Sequence, residues 1–284
     1  MSERKKIMLP DLFRKKRKGQ PITMLTCYDY PTAYFQDEAG IDMILVGDSL
    51  GMTMLGYDST LPVTMEDMIR HAQAVRRGAK NVWLIGDMPY MTYQPSVECA
   101  IRNAGRFMAE ASCDAIKLEG GREISDRIKG IVAAGIPVMG HLGLTPQSAS
   151  ALGGFKVQGK GALQAKKIMD DALALEEAGV FAILLEMVPD RVCKIITEKV
   201  KDTIIISLGS GPDAHGQLLI YHDMFGLYPK FKPRMAKVYG DAGSVILNGL
   251  RQYAQEVTNK TFPRPENWFP MKDEEYEEFK KLID

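Results

Sequence analysis

Apolar residues in this chain fall in short unbroken runs, and five of those runs stop at a side chain able to bind a metal or carry a proton. They read Met43-Ile44-Leu45-Val46-Gly47-Asp48, Val82-Trp83-Leu84-Ile85-Gly86-Asp87, Ala115-Ile116-Lys117-Leu118-Glu119, Ile136-Pro137-Val138-Met139-Gly140-His141 and Phe181-Ala182-Ile183-Leu184-Leu185-Glu186. Continuous apolar runs of this length fit strands covered on both faces, as in parallel sheets. A polar residue recurring at the C-terminal ends of such strands is where a (β/α)8 barrel keeps its chemistry.

The pattern predicts strands at Thr23–Cys27, Met43–Val46, Val82–Gly86, Ala115–Leu118, Val138–Gly140, Ala182–Leu185 and Ile204–Leu208, with an eighth at Met235–Tyr239. Amphipathic stretches lie between them. Thr64 can cap a helix carrying Met65, Met68, Ile69, Ala72 and Val75 at helical spacing, with Gly78 stopping it. Ser96 opens another that runs to about Ser112, and a third covers Ala162–Ala178. Strands alternating with helices mean βαβ units and a parallel sheet. About eight units without a Gly-, Pro- or Ser-rich linker predict one (β/α)8 barrel domain over residues 1–284, a TIM barrel. A short basic helix at about 9–18 precedes it, and a proline-punctuated extension at about 262–284 follows. The connections after Asp48 (Ser49–Val63) and after His141 (Leu142–Gly161) are long for βα loops, and long loops in compact domains are usually lids or binding loops.

Composition narrows the function. The 284 residues are near the ~250 typical of such a barrel, and 45% are hydrophobic, enough for a large core. Basic and acidic residues balance at 36 each, so no global field draws the chain to nucleic acid or anionic membrane. The one basic run, Arg14-Lys15-Lys16-Arg17-Lys18, reads first as a solvated helix end before Gly19, with a nucleic-acid patch as the competing reading. Four scattered cysteines without a C-x-x-C pair point to free thiols in a reducing compartment. No run approaches the ~20 apolar residues of a membrane span, and no secretory pattern opens the chain, so a cytoplasmic location is expected.

Asp48, Asp87 and Glu119 end the second, third and fourth strands. Neighbouring strands lie ~4.8 Å apart, so carboxylates at their ends converge, and a divalent cation relieves their repulsion. All-oxygen ligation with open positions suits magnesium; capping or surface pairing is the plainer role for each acid alone. Lys117, two residues before Glu119, faces the same side of its strand and can neutralise a substrate carboxylate, form a Schiff base or pair with Asp87 or Glu119. His141 is a candidate donor to a substrate oxygen. Glu186, a carboxylate in an apolar wall, is a candidate general base, against the alternative of a salt bridge that closes the barrel. The Gly209-Ser210-Gly211-Pro212 turn is a weak anion-binding candidate, and Met52, Met54, Tyr57, Met88, Tyr90 and Tyr93 either line a pocket for a flat ligand or pack the loops.

Several motifs carry a resemblance to a known family. Val46-Gly47-Asp48-Ser49-Leu50-Gly51-Met52, Asp58-Ser59-Thr60-Leu61-Pro62-Val63-Thr64, Lys117-Leu118-Glu119-Gly120-Gly121, Gly140-His141-Leu142-Gly143-Leu144-Thr145-Pro146-Gln147-Ser148 and Gly153-Gly154-Phe155-Lys156-Val157-Gln158-Gly159 closely resemble the ketopantoate hydroxymethyltransferases, with similarity over residues 7–260. The resemblance implies a barrel of the phosphoenolpyruvate mutase and isocitrate lyase type, assembled as a homo-oligomer, often a decamer. It implies transfer of a hydroxymethyl group from 5,10-methylenetetrahydrofolate to 3-methyl-2-oxobutanoate, giving 2-dehydropantoate for pantothenate biosynthesis through a magnesium-stabilised enolate. By matching motif, Asp48, Asp87 and Glu119 resemble the magnesium ligands; Asp48, Ser49, Asp87, Lys117 and His141 resemble the 2-oxo acid contacts, and Glu186 the proton acceptor.

The chain departs from the family where Ile-Gly-Ile-Gly-Ala-Gly and Asp-Gly-Gln are usual: here stand Ile206-Ser207-Leu208-Gly209-Ser210-Gly211 and His215-Gly216-Gln217. Crowding of the acceptor by Ser207 or His215 would favour an alternative, a divergent paralogue that uses another 2-oxo acid in folate-independent aldol addition or C–C cleavage.

Overall fold

The computed structural model describes residues 4–284. Eight parallel strands close into a barrel in chain order: β1 Ile22–Thr26, β2 Met43–Val46, β3 Trp83–Asp87, β4 Ala115–Glu119, β5 Val138–Gly143, β6 Ala182–Glu186, β7 Ile204–Leu208 and β8 Gly216–Leu219. The helices, in chain order, begin with α1 Leu9–Arg17, α2 Tyr30–Glu38, α3 Leu50–Thr53, α4 Met65–Gly78, α5 Val97–Ala111 and α6 Ser125–Ala133. They continue with α7 Ala149–Leu152, α8 Ala162–Glu177, α9 Asp190–Lys199, α10 Tyr221–Met224, α11 Ala242–Thr258 and α12 Asp273–Ile283.

Local chemistry sets the helix ends where spacing predicted them. Thr64 Oγ1 accepts the Asp67 N–H at 3.2 Å while the Asp67 carboxylate accepts the Thr64 N–H at 3.0 Å, a reciprocal cap. The expected stripe of Met65, Met68, Ile69, Ala72 and Val75 is the face α4 buries. Ser96 Oγ caps α5 by accepting from the Cys99 N–H, and Ser112 closes it in the left-handed conformation.

The barrel interior follows a period of two. Met43 and Leu45, Trp83 and Ile85, Ala182 and Leu184, and Ile204, Ile206 and Leu208 join Met24, Ala115, Met139 and Leu218 in one inner cluster, while residues between them pack outward against the helices. Leu12 of α1 belongs to the inner cluster, so α1 plugs the N-terminal end. Its basic run serves that plug: Lys15 pairs with Asp42, and Lys16 donates to the carbonyls of Lys201 and Thr203.

The eighth strand differs from expectation. Residues Met235–Tyr239 form no strand; β8 is Gly216–Leu219, paired with β7 through Ile206↔Gly216 and with β1 through Met24↔Leu218. Only Leu218 of β8 joins the inner cluster, which leaves too little apolar signal to mark a strand. Met235 is apolar for another reason: it caps the barrel mouth, and its Sδ lies 2.5 Å from where a Cβ on Gly209 would sit, so glycine alone fits at that turn (φ 68°).

No helix separates β7 from β8; the short α10 follows β8, and the long α11 beyond it has no buried residue. Its Val245, Ile246, Leu250 and Tyr253 face outward, as do Phe279 and Leu282 of α12. Among the described residues, no helix is long and apolar enough to cross a membrane. Cys27, Cys99, Cys113 and Cys193 are free thiols.

Candidate active site

The period that fills the barrel floor continues upward into polar residues. Two positions beyond Ile85, Ala115, Met139 and Leu184 stand Asp87, Lys117, His141 and Glu186, with Glu119 two further along β4. Register then sets neighbours: Asp87 lies beside Lys117, Glu119 beside His141, and Gly143 beside Glu186. His141 falls inside β5 rather than at its end, because that strand runs on to Gly143. Asp48 lies outside the period, on the turn after β2, where its N–H donates to Asp87 Oδ2 at 3.0 Å. The acids expected to meet do meet on one rim.

Lys117 is the hub. Its Nζ is 2.8 Å from Asp87 Oδ1, 3.8 Å from Glu119 Oε1 and 3.3 Å from His141 Nδ1. An ammonium only donates, so His141 Nδ1 accepts and the ring proton sits on Nε2. Nε2 lies 3.2 Å from Glu186 Oε2, at an angle short of a full hydrogen bond. A continuous file therefore runs Asp87–Lys117–His141–Glu186 across the mouth. Ser49 shares a 2.8 Å hydrogen bond with Tyr28 Oη and lines the same space.

Burial decides the electrostatics. It holds the Asp48 carboxyl well above the ordinary range, helped by the charges of Asp87 and Glu119. Asp87 and Glu119 are also raised by burial, against the pull of Lys117. For Lys117, burial opposes the charge, but Asp87, Glu119 and Asp48 together outweigh it and raise the ammonium above its ordinary value. His141 is lowered by burial and then by Lys117, which keeps the ring neutral and agrees with the tautomer.

Three carboxylates facing one ammonium leave a surplus of two negative charges, the amount a dication cancels. Glu119 Oε1 is buried without a hydrogen-bond partner. Among the described residues, no three His, Cys, Asp or Glu side chains form a ready-made cage. Asp87 Oδ1 is engaged by Lys117, and Asp48 Oδ2 accepts from Gln147 Nε2 at 2.9 Å. These hard oxygens fit an ion held by one or two carboxylates and completed by water or substrate, which is how magnesium binds.

Above the rim lies a cavity of ≈ 880 Å³. Asp48, Asp87, Lys117, Glu119, His141 and Glu186 form its floor, and its walls are mostly apolar, among them Met52, Leu144, Phe155, Val157, Ile220 and Met235, with Asp223 and Arg234 also lining it. Both long loops contribute walls, Met52 and Thr60 from one, Phe155 and Val157 from the other. Of the Met and aromatic candidates, Met52 alone lines the cavity; Met88 and Tyr93 are buried packing, and Met54, Tyr57 and Tyr90 are exposed. The Gly209 turn contributes Gly209 to the wall.

The departures from the family pattern turn away from this space. Ser207 lies between the inward Ile206 and Leu208 and is fully buried on the outer side, where its Oγ accepts the Ser210 N–H. Ser210 Oγ donates to the Leu185 carbonyl and accepts from the Val188 N–H. His215 Nδ1 accepts the Ile205 N–H at 2.9 Å, and burial lowers its pKa to about 4. None of the three lines the cavity.

Two residues of the site were given no role from the sequence, Tyr28 and Gln147. Gln147 stands in the motif that follows His141, its one sequence-level signal.

Comparison with known proteins agrees with the fold and goes further. A family model described as ketopantoate hydroxymethyltransferase matches residues 6–265. The chain is 51% identical over 269 residues to a 3-methyl-2-oxobutanoate hydroxymethyltransferase of Carboxydothermus hydrogenoformans, covering 95% of this chain and 97% of the relative. It is 50% identical to the protein of the same name from Syntrophus aciditrophicus, covering 94% and 98%. Among solved structures, a phosphonopyruvate hydrolase complex with oxalate and Mg++ matches with a TM-score of 0.58 at 14% identity over 98% of this chain and 97% of that one. A 2,3-dimethylmalate lyase of the PEP mutase/isocitrate lyase superfamily matches with a TM-score of 0.59 at 13% identity, covering 91% and 92%. The barrel shares its fold with those structures, and the chain is an enzyme that belongs to the ketopantoate hydroxymethyltransferase family.

Proposed function

We propose that the enzyme transfers a hydroxymethyl group from 5,10-methylenetetrahydrofolate to 3-methyl-2-oxobutanoate, forming 2-dehydropantoate, with magnesium at the rim. The observation that carries this reading is the Asp87–Lys117–His141–Glu186 file on the floor of a cavity with mostly apolar walls. Such a floor suits a small acid with a polar head and a branched apolar tail.

Asp48, Asp87 and Glu119 would hold the ion, which supplies Lewis-acid pull on the keto oxygen. Lys117 pairs with the substrate carboxylate or with the charge that develops on the keto oxygen, at the buried floor of the cavity. Glu186 takes the proton from the carbon beside the keto group. His141, neutral with its proton on Nε2, faces the Glu186 carboxylate and holds it in position. Water breaks the two bonds from the methylene to the folate nitrogens, releasing it as formaldehyde and leaving tetrahydrofolate. The carbon freed of its proton attacks the formaldehyde carbon, and the new alkoxide takes the proton back from Glu186 to become the hydroxyl. The apolar walls leave room beside a five-carbon acid for a large flat donor.

The fold neighbour solved with oxalate and Mg++ supports pairing an ion with a small dicarbonyl at such a rim. The divergent-paralogue alternative has no residue of the cavity to rest on, since Ser207, Ser210 and His215 lie outside it. The outward apolar face of α11 supports a homo-oligomer, which the family resemblance puts at a decamer. We place the enzyme in the cytoplasm, as a single barrel domain with its C-terminal extension.

The test is proton exchange at C3 of 3-methyl-2-oxobutanoate, followed by NMR in deuterated water with and without magnesium. Exchange that requires magnesium, and 2-dehydropantoate formed once the folate donor is added, are the expected results. Absence of both sinks the assignment, while product from free aldehydes alone moves it to the folate-independent class.

A further inference from the structure

We propose that Gln147 is a positioning residue that sets Asp48 and Glu119 for the ion and ties them to the root of the loop after β5. This rests on reading those acids as holders of a cation. Gln147 is buried on the short turn Pro146–Ser148, at the start of the loop whose Phe155 and Val157 wall the cavity. Every side-chain position of its amide is used. Nε2 donates to Asp48 Oδ2 at 2.9 Å and to the Met88 carbonyl at 3.0 Å. Oε1 accepts from Tyr93 Oη at 2.8 Å and from Gln94 Nε2 at 3.1 Å. The backbone N–H of Gln147 donates to Glu119 Oε2 at 3.0 Å.

The orientation of the amide follows from chemistry. Flipped, its oxygen would face a carboxylate and a carbonyl, two acceptors with no proton between them. The present orientation meets two acceptors with two protons and two donors with two lone pairs. Tyr93 holds the far side: its hydroxyl accepts the Glu119 N–H at 3.1 Å, and its one proton is shared between Gln147 Oε1 at 2.8 Å and the Glu119 carbonyl at 3.0 Å.

One residue thus engages Oδ2 of Asp48, 99 positions away in the chain, and Oε2 of Glu119, 28 positions away. Glu119 Oε1 is left without a hydrogen-bond partner, with His141 Nδ1 at 3.4 Å and Lys117 Nζ at 3.8 Å. One oxygen of each acid is thus fixed by a neutral group. Lys117 cannot do this, because it occupies Asp87 and adds charge.

The experiment measures magnesium binding by calorimetry on the full-length chain, without substrate, for wild type, Gln147→Met, Tyr93→Phe and the double variant. Gln147→Met keeps the length of the side chain and removes every polar contact of its amide. Weakening of magnesium binding by about 10- to 100-fold is expected, the range for groups that orient metal ligands. Tyr93→Phe touches neither ion nor Asp48 but loses its bonds to the Glu119 backbone as well as to Gln147 Oε1. It should weaken binding several-fold, and the double variant should lose clearly less than the product of the two single losses, because part of the Tyr93 effect runs through the Gln147 amide. Circular dichroism of the chelated proteins identifies any variant that fails to fold, and Tyr93→Phe then carries the test alone. A Gln147→Met affinity within twofold of wild type, or losses that add in the double variant, overturns the positioning role while leaving the ion reading standing. No magnesium binding by wild type overturns the ion reading itself, and the role built on it.

Discussion

Lys117→Met tests whether the rim is a charge-balanced unit. Methionine has nearly the volume and length of the lysine stem, so the change deletes the ammonium with little loss of packing. In the wild type, Lys117 and Asp87 side chains are 3% and 2% exposed and 2.8 Å apart. Removing one partner of so deeply buried a pair leaves an uncompensated charge and costs about 3–5 kcal/mol. The cost here falls at the upper end, because Asp48 and Glu119 also lose their cation. For large single domains, each kcal/mol moves Tm by roughly 2–4 °C, so the chelated variant should melt roughly 6–20 °C below wild type near neutral pH.

The pH dependence has a definite sign. The three carboxyls are raised in the folded protein above their ordinary values of 3.8 and 4.5. The folded state therefore binds more protons than the unfolded one in that window, and these groups add stability as pH falls through the raised values towards the ordinary ones. Loss of Lys117 raises them further, so the deficit of the variant should shrink at about pH 5, where protonation replaces the missing cation. Magnesium should stabilise the variant more than wild type, because the surplus of negative charge has grown from two to three. The assay is thermal and urea unfolding of both chelated proteins at the two pH values, repeated with magnesium. A deficit below about 1 kcal/mol at neutral pH, the scale of a surface pair, or a deficit equal at both pH values, would refute the balance.

Three other outcomes follow from the same geometry. Glu186→Gln should fold normally and lower both C3 deuteron exchange and turnover by about 100- to 10,000-fold, the usual worth of a general base; exchange at the wild-type rate would move the base elsewhere. Gly143→Ala should cost about 1–3 kcal/mol of stability and most of the turnover, because φ is 93° and a Cβ would lie 2.2 Å from the Glu186 carbonyl oxygen; normal kinetics would show that the Glu186 backbone is free to shift. His215 must be neutral to accept the Ile205 N–H, and its pKa is lowered from 6.5 to about 4, so the unfolded chain takes up a proton first and stability falls as pH drops through that window. His215→Asn keeps an acceptor without a proton and should recover roughly 1–2 kcal/mol of that acid-side loss after allowance for partial exposure; urea midpoints with the same pH slope in both proteins would remove His215 from the account.

Strand and site were legible together in the sequence because one rule governs both. A strand residue faces inward or outward by parity, so apolar Ile85, Ala115, Met139 and Leu184 also place Asp87, Lys117, His141 and Glu186 inside. Where that rule lapses, so does the reading. Gly216-Gln217-Leu218-Leu219 puts one apolar side chain inward, and Met235 imitates strand character while serving as a stopper over Gly209. Asp48 was found only by its place after a run, since it sits on a turn. The role of Gln147 had no local trace: an amide in a loop gains meaning from Asp48, Met88, Tyr93 and Glu119, which folding brings to it. The departures at Ser207 and His215 read as threats to the acceptor because closeness in sequence to the Gly209 turn hides that Ser207 faces the outer side of β7 and that His215, before β8, bonds the Ile205 N–H.

The same parity links the stability of the barrel to the accuracy of its chemistry. The polar tier stands directly on the apolar one: Lys117 above Ala115, His141 above Met139, Glu186 above Leu184. A buried ammonium among carboxylates holds its place only if the strands beneath cannot rotate, because the energy of a buried pair falls steeply once its geometry loosens. Close packing of the inner cluster supplies that rigidity. The small Ala115 lies beside Ile85 of β3, on the strand that also carries Lys117 and Glu119 and pairs with the strand of Met139 and His141. Enlarging Ala115 would therefore press on β3, β4 and β5 together, the strands that bear Asp87, Lys117, Glu119 and His141. A core residue with no contact to substrate would then alter ion binding and proton abstraction together, because the polar tier shares one apolar footing.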